Sequence, residues 1–365
     1  MNRTFSLILF QALSFHFAYA QSLPEMTQSS VQISAGYHYG FIIAHRGNIV
    51  ALQKDHVKGF EVCVSKKTLG KKIWQQLYNY PEIGLKYFYF DLGNPEQIGF
   101  GQAVIPFVNF PICTNEKIHF GFSYGWGLGY VQRPFNYKTN YENVSIGSHV
   151  NSAIHFAAAL KIKLFKQTDF NTGINLTHFS NGAIITPNQG INIASIQAGI
   201  TRHFGDTKPL VKDSIPEFKK HYKNAVYIGT GIKQIYPVMG PQFFAVILSV
   251  SRFKQFTRKS AAGLALDYHY DNSLIYRLED GSLMQYGFVY GTRAGISAGY
   301  EMILSDFSMM IQMGGYFYNQ LKTDGNVYHR LSLKYHFHKN YFVCFNLKSH
   351  WAKADFFETG VGIRF

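Results

Sequence analysis

Apolar residues alternate with small or polar ones along much of this chain, and that pattern restricts the fold more than any other feature. From Phe120 to Tyr130 the even positions are Phe120, Phe122, Tyr124, Trp126, Leu128 and Tyr130, while the odd ones are Gly121, Ser123, Gly125, Gly127 and Gly129. Around Val226–Lys233, Ala294–Met302 and Phe357–Phe365 the same split recurs, with Val226, Ile228 and Ile232, then Ile296, Ala298 and Tyr300, then Phe357, Val361 and Ile363 sharing a face. Successive side chains of a strand point to opposite sides, so each run reads as a strand with one apolar and one Gly-rich face.

A soluble β-sandwich alternates in the same way. Composition separates the two cases: aromatic residues reach 17% and charged residues only 15%. An aromatic-rich outer face suits membrane interfaces, and small inward residues suit a narrow, filled lumen. The uncharged stretches 97–115 and 170–201 are broken by Gly, Pro, Asn and Gln, which argues against spanning helices. The expected fold is all-β, a transmembrane antiparallel β-barrel.

A weak internal repeat divides the chain. Residues 101–126 resemble 291–316, and 170–178 resemble 341–350. The halves close on Ile200-Thr201-Arg202-His203-Phe204 and on Gly362-Ile363-Arg364-Phe365. Between them, 205–220 is polar and carries Pro209 and Pro216, as a linker would. With about eight candidate strands per half, two eight-stranded barrels in tandem, over 21–204 and 221–365, suit the Gly-rich lumen better than the alternative of one sixteen-stranded barrel.

The N-terminus indicates where such barrels would go. Arg3, an apolar run from Phe5 to Phe17, and Ala18-Tyr19-Ala20 together read as a signal peptide over 1–20, cleaved after Ala20. The formal charge of +14 suits a surface that meets anions. For an exported barrel these are lipid head groups rather than nucleic acid. Cys63, Cys113 and Cys344 are too scattered for a disulfide framework or a metal site. His336 and His338 would share a strand face, but no carboxylate or thiol beside them completes a metal site. The remaining histidines, among them His38, His45 and His155, read as lumen or loop residues.

One segment carries chemistry. Residues 170–181 read Phe-Asn-Thr-Gly-Ile-Asn-Leu-Thr-His-Phe-Ser-Asn, which puts His178 and Ser180 at the far end of the apolar, lipid-directed face. Polar groups on such a face are costly enough to ask for a function. A serine hydroxyl needs a base to become a nucleophile, and neutral imidazole is the usual one. On the following strand, Asn192 falls on the same parity and can orient the imidazole.

His178-Phe179-Ser180-Asn181-Gly182, followed by Pro187-Asn188 and Gly190-Ile191, resembles the signature of the PagL lipid A 3-O-deacylases. That resemblance implies an eight-stranded barrel in the outer membrane of a Gram-negative bacterium. It also implies a His/Ser site on the outer wall, with lipid A as substrate and neither cofactor nor metal. Ser180 would attack the ester carbonyl, His178 would be its base, and groups around Asn181 and Gly182 would hold the oxyanion. Asn188 matches a further family position. The family carries Glu where this chain has Asn192. Loss of the acid from a Ser–His–Asp site can cost about 10⁴ in rate.

The second half keeps the strands without the site. Val343, Phe345 and Leu347 take its lipid face, so His350 points inward, and no Ser-Asn-Gly follows it. Two functions are therefore weighed. The first is an outer-membrane serine hydrolase that removes an ester-linked acyl chain from lipid A. The other is a catalytically impaired barrel serving as a scaffold or small porin.

Overall fold

The computed structural model describes residues 27–235, 238–279, 282–351 and 353–365. The expected signal peptide, 1–20, lies outside the described residues. In the first half the strands are β1 (Thr27–Ile42), β2 (Val57–Lys67), β3 (Glu82–Asp91), β4 (Phe100–Thr114), β5 (Ile118–Val131), β6 (Val150–Phe165), β7 (Thr168–Ser180) and β8 (Ile191–Pro209). Each pairs antiparallel with its neighbour, and β8 returns to β1, so eight strands close into a barrel.

The second half runs β9 (His221–Gln234), β10 (Gln242–Gln255) and β11 (Ser260–Asp271). A small hairpin follows, β12 (Tyr276–Glu279) and β13 (Ser282–Gln285). The chain then continues through β14 (Thr292–Leu304), β15 (Phe307–Asn319), β16 (Val327–Tyr335), β17 (Tyr341–His350) and β18 (Lys353–Arg364). Here β18 pairs with β9 and closes a second barrel of eight. Two closed barrels are present, not the sixteen-stranded alternative. Among the described residues no helix is long and apolar enough to cross a membrane.

The outer walls follow the alternation. Leu128 is 69% exposed, Ile174 66%, Ile196 62% and Val361 55%, as an apolar band facing lipid requires. Many of the inward charges pair. In the first barrel Glu61 sits 3.2 Å from both His38 and Lys86, and Glu82 is 2.7 Å from Lys161. In the second, Lys233 bridges Asp271 and Asp355, while Arg330 bridges Asp267 and Glu358. A buried charge without a partner would be expensive, so this pairing is what makes a narrow polar lumen tolerable.

Long connections gather at one end. In the first barrel these are 43–56, which includes the short helix α1 (Gly47–Val50), then 92–99, 132–149 and 181–190. Ile49 and Leu52 from the first of them pack with Phe88, Phe90 and Phe179 into an apolar plug at that end of the lumen. At the opposite end most turns are short, such as 115–117 and 166–167. The exception, 68–81, carries helix α2 (Ile73–Leu77).

The two barrels lie side by side along β5–β6 and β15–β18. Tyr124 and Trp126 are on the outward face of β5 yet only 7% and 8% exposed, because they meet the second barrel. The Trp126 ring lies 5.1 Å from Phe345 and 6.2 Å from Phe357. Met309, Leu331, Leu333 and Leu347 pack against the same cluster. At the short-turn end the Tyr78 hydroxyl reaches the Ile303 carbonyl at 3.1 Å. Since lipid tails are as apolar as these rings, such a seam is held by close packing and by polar contacts at its ends.

Arg330→Met leaves Asp267 and Glu358 without their shared cation in the second lumen, and the expected loss is about 3–5 kcal/mol. Urea unfolding followed by tryptophan fluorescence measures it. An unchanged midpoint would show that the carboxylates find other partners.

Candidate functional site

The site forms where β7 ends at the long-loop rim. Along the outward face of β7, Ile174 and Leu176 are followed by His178 and Ser180, with Ser180 buried. Antiparallel pairing sets His178 opposite Asn192 of β8. The result is a 2.6 Å hydrogen bond between His178 Nδ1 and Asn192 Oδ1. With Nδ1–H donating to the amide oxygen, Nε2 keeps its lone pair and can accept a proton.

Ser180 is held by the loop that follows it. Asn188 Nδ2 donates to Ser180 Oγ at 2.9 Å, and the Gly182 N–H donates to the same oxygen at 3.2 Å. Asn188 Oδ1 accepts from the Asn181 N–H at 3.1 Å. The same Asn188 Oδ1 accepts the serine proton at a long 3.3 Å. Among the described residues His178 and Ser180 share no hydrogen bond. In unliganded sites such bonds are often open and close only on substrate.

The six residues singled out from the sequence thus fall into one cluster, with distinct parts. Asn181 is a strut: its Nδ2 donates to Ser148 Oγ at 2.7 Å and to the Ile185 carbonyl at 2.9 Å. The donors converging on Ser180 are those of Gly182 and Asn188. Two glycines are required by the geometry. Gly182 has φ +62°, and a Cβ there would lie 2.3 Å from the Phe357 ring. Gly190 has φ +81°, and a Cβ would meet His178 Cε1 at 2.7 Å. Positive φ and close approach together exclude other residues at both places.

Groups that sequence reasoning left aside also reach the cluster. His45, read as a loop residue, lies with Nδ1 3.0 Å from Asn192 Nδ2 and Nε2 3.0 Å from the Gln189 carbonyl. Gln234, from the second barrel, accepts at Oε1 from the Thr186 N–H at 2.7 Å and from Thr186 Oγ1 at 3.0 Å. Its own N–H donates to the Ala183 carbonyl at 2.8 Å. Gln242 Nε2 donates to the Ile184 carbonyl at 3.0 Å. The second barrel therefore grips the 181–190 loop and, through Phe357, walls off one side of it. No sequence motif marks either residue, because the contacts join segments far apart in the chain.

Below the polar cluster, the outer wall of the first barrel forms an apolar groove of about 590 Å³, lined by Tyr39, Phe41, Phe122, Phe156, Ile174, Leu176 and Ile196 among others. Elsewhere, His336 and His338 do not share a strand. They lie in the turn after β16, against Phe342 and Tyr341 respectively. Burial and the nearby Lys334 cation lower His336 to about 4. Among the described residues no group of three or more His, Cys, Asp or Glu is placed to hold a metal ion.

A closed barrel with an apolar outer wall and a His/Ser/Asn cluster on that wall defines a class, the outer-membrane barrels with an outward-facing site. Residues 58–201 match the family model described as lipid A 3-O-deacylase (PagL), and residues 221–365 match the one described as acyloxyacyl hydrolase, C-terminal domain. The chain belongs to the PagL lipid A deacylase family. No curated protein matches it. Solved structures that resemble it include an outer-membrane channel from Pseudomonas putida F1, at 10% identity over 94% of this chain and 99% of that one, with a TM-score of 0.20. The siderophore receptor PirA from Pseudomonas aeruginosa is 8% identical over 93% of this chain and 81% of its own, with a TM-score of 0.24. Likeness this slight carries no argument.

Gln234→Met removes the acceptor that holds Thr186 while leaving both barrels closed. Slackening the loop that carries the Ser180 donors is expected to lower turnover about 10- to 100-fold. The check is kcat of the purified variant, with gel mobility before and after heating to confirm the folded barrel; parental kcat would show that the second barrel does not position this loop.

Proposed function

We propose that this chain is an outer-membrane serine hydrolase that removes an ester-linked acyl chain from lipid A, with Ser180 as nucleophile and His178 as base. The observation that carries the proposal is the His178–Asn192 hydrogen bond, which leaves the His178 Nε2 lone pair on the same outward face as Ser180. Family membership supports the substrate class. The position also suits it, since barrels carry their longer loops outside the cell and lipid A lies in the outer leaflet. The apolar groove below the cluster supplies a lane for an acyl chain whose ester lies at the rim.

In this reading Ser180 rotates away from Asn188 and gives its proton to His178 Nε2 as its oxygen attacks the ester carbonyl. The Gly182 N–H and Asn188 Nδ2, already aimed at Ser180 Oγ, turn to the developing oxyanion beside it. His178 then protonates the leaving sugar oxygen, and water repeats the sequence on the acyl-serine. Asn192 holds the ring but adds no charge to steady the imidazolium.

A second reading, a catalytically impaired scaffold, draws on Asn192 in place of the family's Glu. Its small-porin form fits less well, because ion pairs and the apolar plug fill the first lumen.

Mass spectrometry of lipid A from cells expressing the parent or Ser180→Ala distinguishes the two. The proposal expects loss of one hydroxyacyl mass with the parent and full-length lipid A with the variant. Full-length lipid A in both, with folded barrels in the outer membrane, would leave the scaffold.

A further inference from the structure

We infer that His45 fixes the orientation of the Asn192 side chain, and through it the tautomer of His178, so that an amide can serve where a carboxylate otherwise would. His45 is a positioning residue in this scheme, and the scheme rests on the hydrolase reading above.

A backbone carbonyl fixes the first hydrogen. The Gln189 carbonyl oxygen, 3.0 Å from His45 Nε2, can only accept, so Nε2 carries a hydrogen. In the neutral ring Nδ1 is then a lone pair. Asn192 meets that lone pair at 3.0 Å and must present its NH2 group to it. The amide oxygen therefore faces the other way, 2.6 Å from His178 Nδ1, which must be the protonated nitrogen. His178 Nε2 is left as the basic nitrogen, on the strand face that also carries Ser180. Donors and acceptors thus alternate from the Gln189 carbonyl through His45 and Asn192 to His178 without a carboxylate.

The reversed amide would be wrong at both ends. Its oxygen would face the His45 lone pair, and its NH2 group would face His178 Nδ1. That forces the Nε2–H tautomer on His178, which cannot take a serine proton. A carboxylate at 192 offers two equivalent acceptors and has no wrong orientation, so the device matters only because residue 192 is Asn. The backbone holds its parts in place: the Ile43 N–H donates to the Asn192 carbonyl at 2.7 Å, extending the β1–β8 ladder to within two residues of His45. His45 Nδ1 also passes 3.3 Å from the Ile43 carbonyl, a contact that would need a hydrogen on Nδ1, but that carbonyl already accepts the His45 backbone N–H at 3.0 Å. A hydrogen on Nδ1 would confront Asn192 with an N–H and turn the amide round, whereas the Nε2–H ring bonded to the Gln189 carbonyl leaves Nδ1 open to the amide NH2 group.

The test puts a donor-only side chain at position 45 in two backgrounds. Purified full-length parent, His45→Lys, Asn192→Glu and the double variant are assayed for fatty-acid release from lipid A in detergent micelles, with Ser180→Ala as the blank. His45→Lys is expected to lower kcat by between about tenfold and 10⁴-fold, the upper figure being the cost of a wrong tautomer. In the Asn192→Glu background the same change is expected to cost less than about threefold, since a carboxylate accepts from the introduced ammonium group and from His178 alike. An equal loss in both backgrounds would assign His45 a merely structural part and overturn the inference, as would parental activity in His45→Lys. The ¹⁵N shifts of the His178 ring read the tautomer independently of turnover: Nδ1–H in the parent, Nε2–H in His45→Lys. If the parent proves no more active than the blank, the hydrolase reading fails. The inference about the amide then stands or falls on those shifts, an unchanged tautomer overturning it.

Discussion

Closure of the backbone hydrogen bonds within each set of eight strands is the constraint on which the rest of this molecule depends. In hydrocarbon an unpaired N–H or C=O costs several kcal/mol, so a sheet can cross only if it has no edge. Here β8 returns to β1 and β18 to β9. Once both rings close, the faces are assigned. Outward positions must be apolar or explained, and inward charges must find partners. Arg330 between Asp267 and Glu358, and Lys233 between Asp271 and Asp355, are what the second rule looks like in a lumen too narrow for much water.

The first rule isolates the site. At the rim end of the outer face of β7 stand His178 and Ser180, and that end meets a loop held from two sides. From its own barrel, Ser145 and Ser148 tie down Gly190 and Asn181. From the other barrel, Gln234 and Gln242 bind the main chain or side chain of 183–186, and Phe357 fills the space above Gly182. A half that lacks the His/Ser pair thus supports the half that has it. This gives the second barrel a reason to exist beside the first, and it places the candidate chemistry at a seam rather than on an open wall.

Much of this was legible from residue order. Alternation gave the strand faces, the Gly-rich inner positions pointed to small barrels, and the i, i+2 spacing of His178 and Ser180 with Asn192 on matching parity anticipated the 2.6 Å contact. What stayed hidden depends on contacts between distant segments. Tyr124 and Trp126 alternate as lipid-facing residues do, and only the neighbouring barrel makes them buried. His336 and His338 have strand spacing, yet β16 ends at Tyr335 and the turn separates them. Strand β8 runs on to Pro209, into what reads by composition as linker, because β1 is long enough to pair with it. His45 has no local signal at all: its meaning comes from a carbonyl at 189 and an amide at 192.

The central claim is that Ser180 is an activated nucleophile on the outer wall of the first barrel. Its most direct measurement is covalent trapping of the purified protein in detergent with a long-chain alkyl fluorophosphonate, followed by peptide mass mapping. The account predicts one adduct, on Ser180, abolished by His178→Ala. Absence of any adduct on the folded parent, or labelling of Ser180 that persists at the same rate without His178, would contradict it.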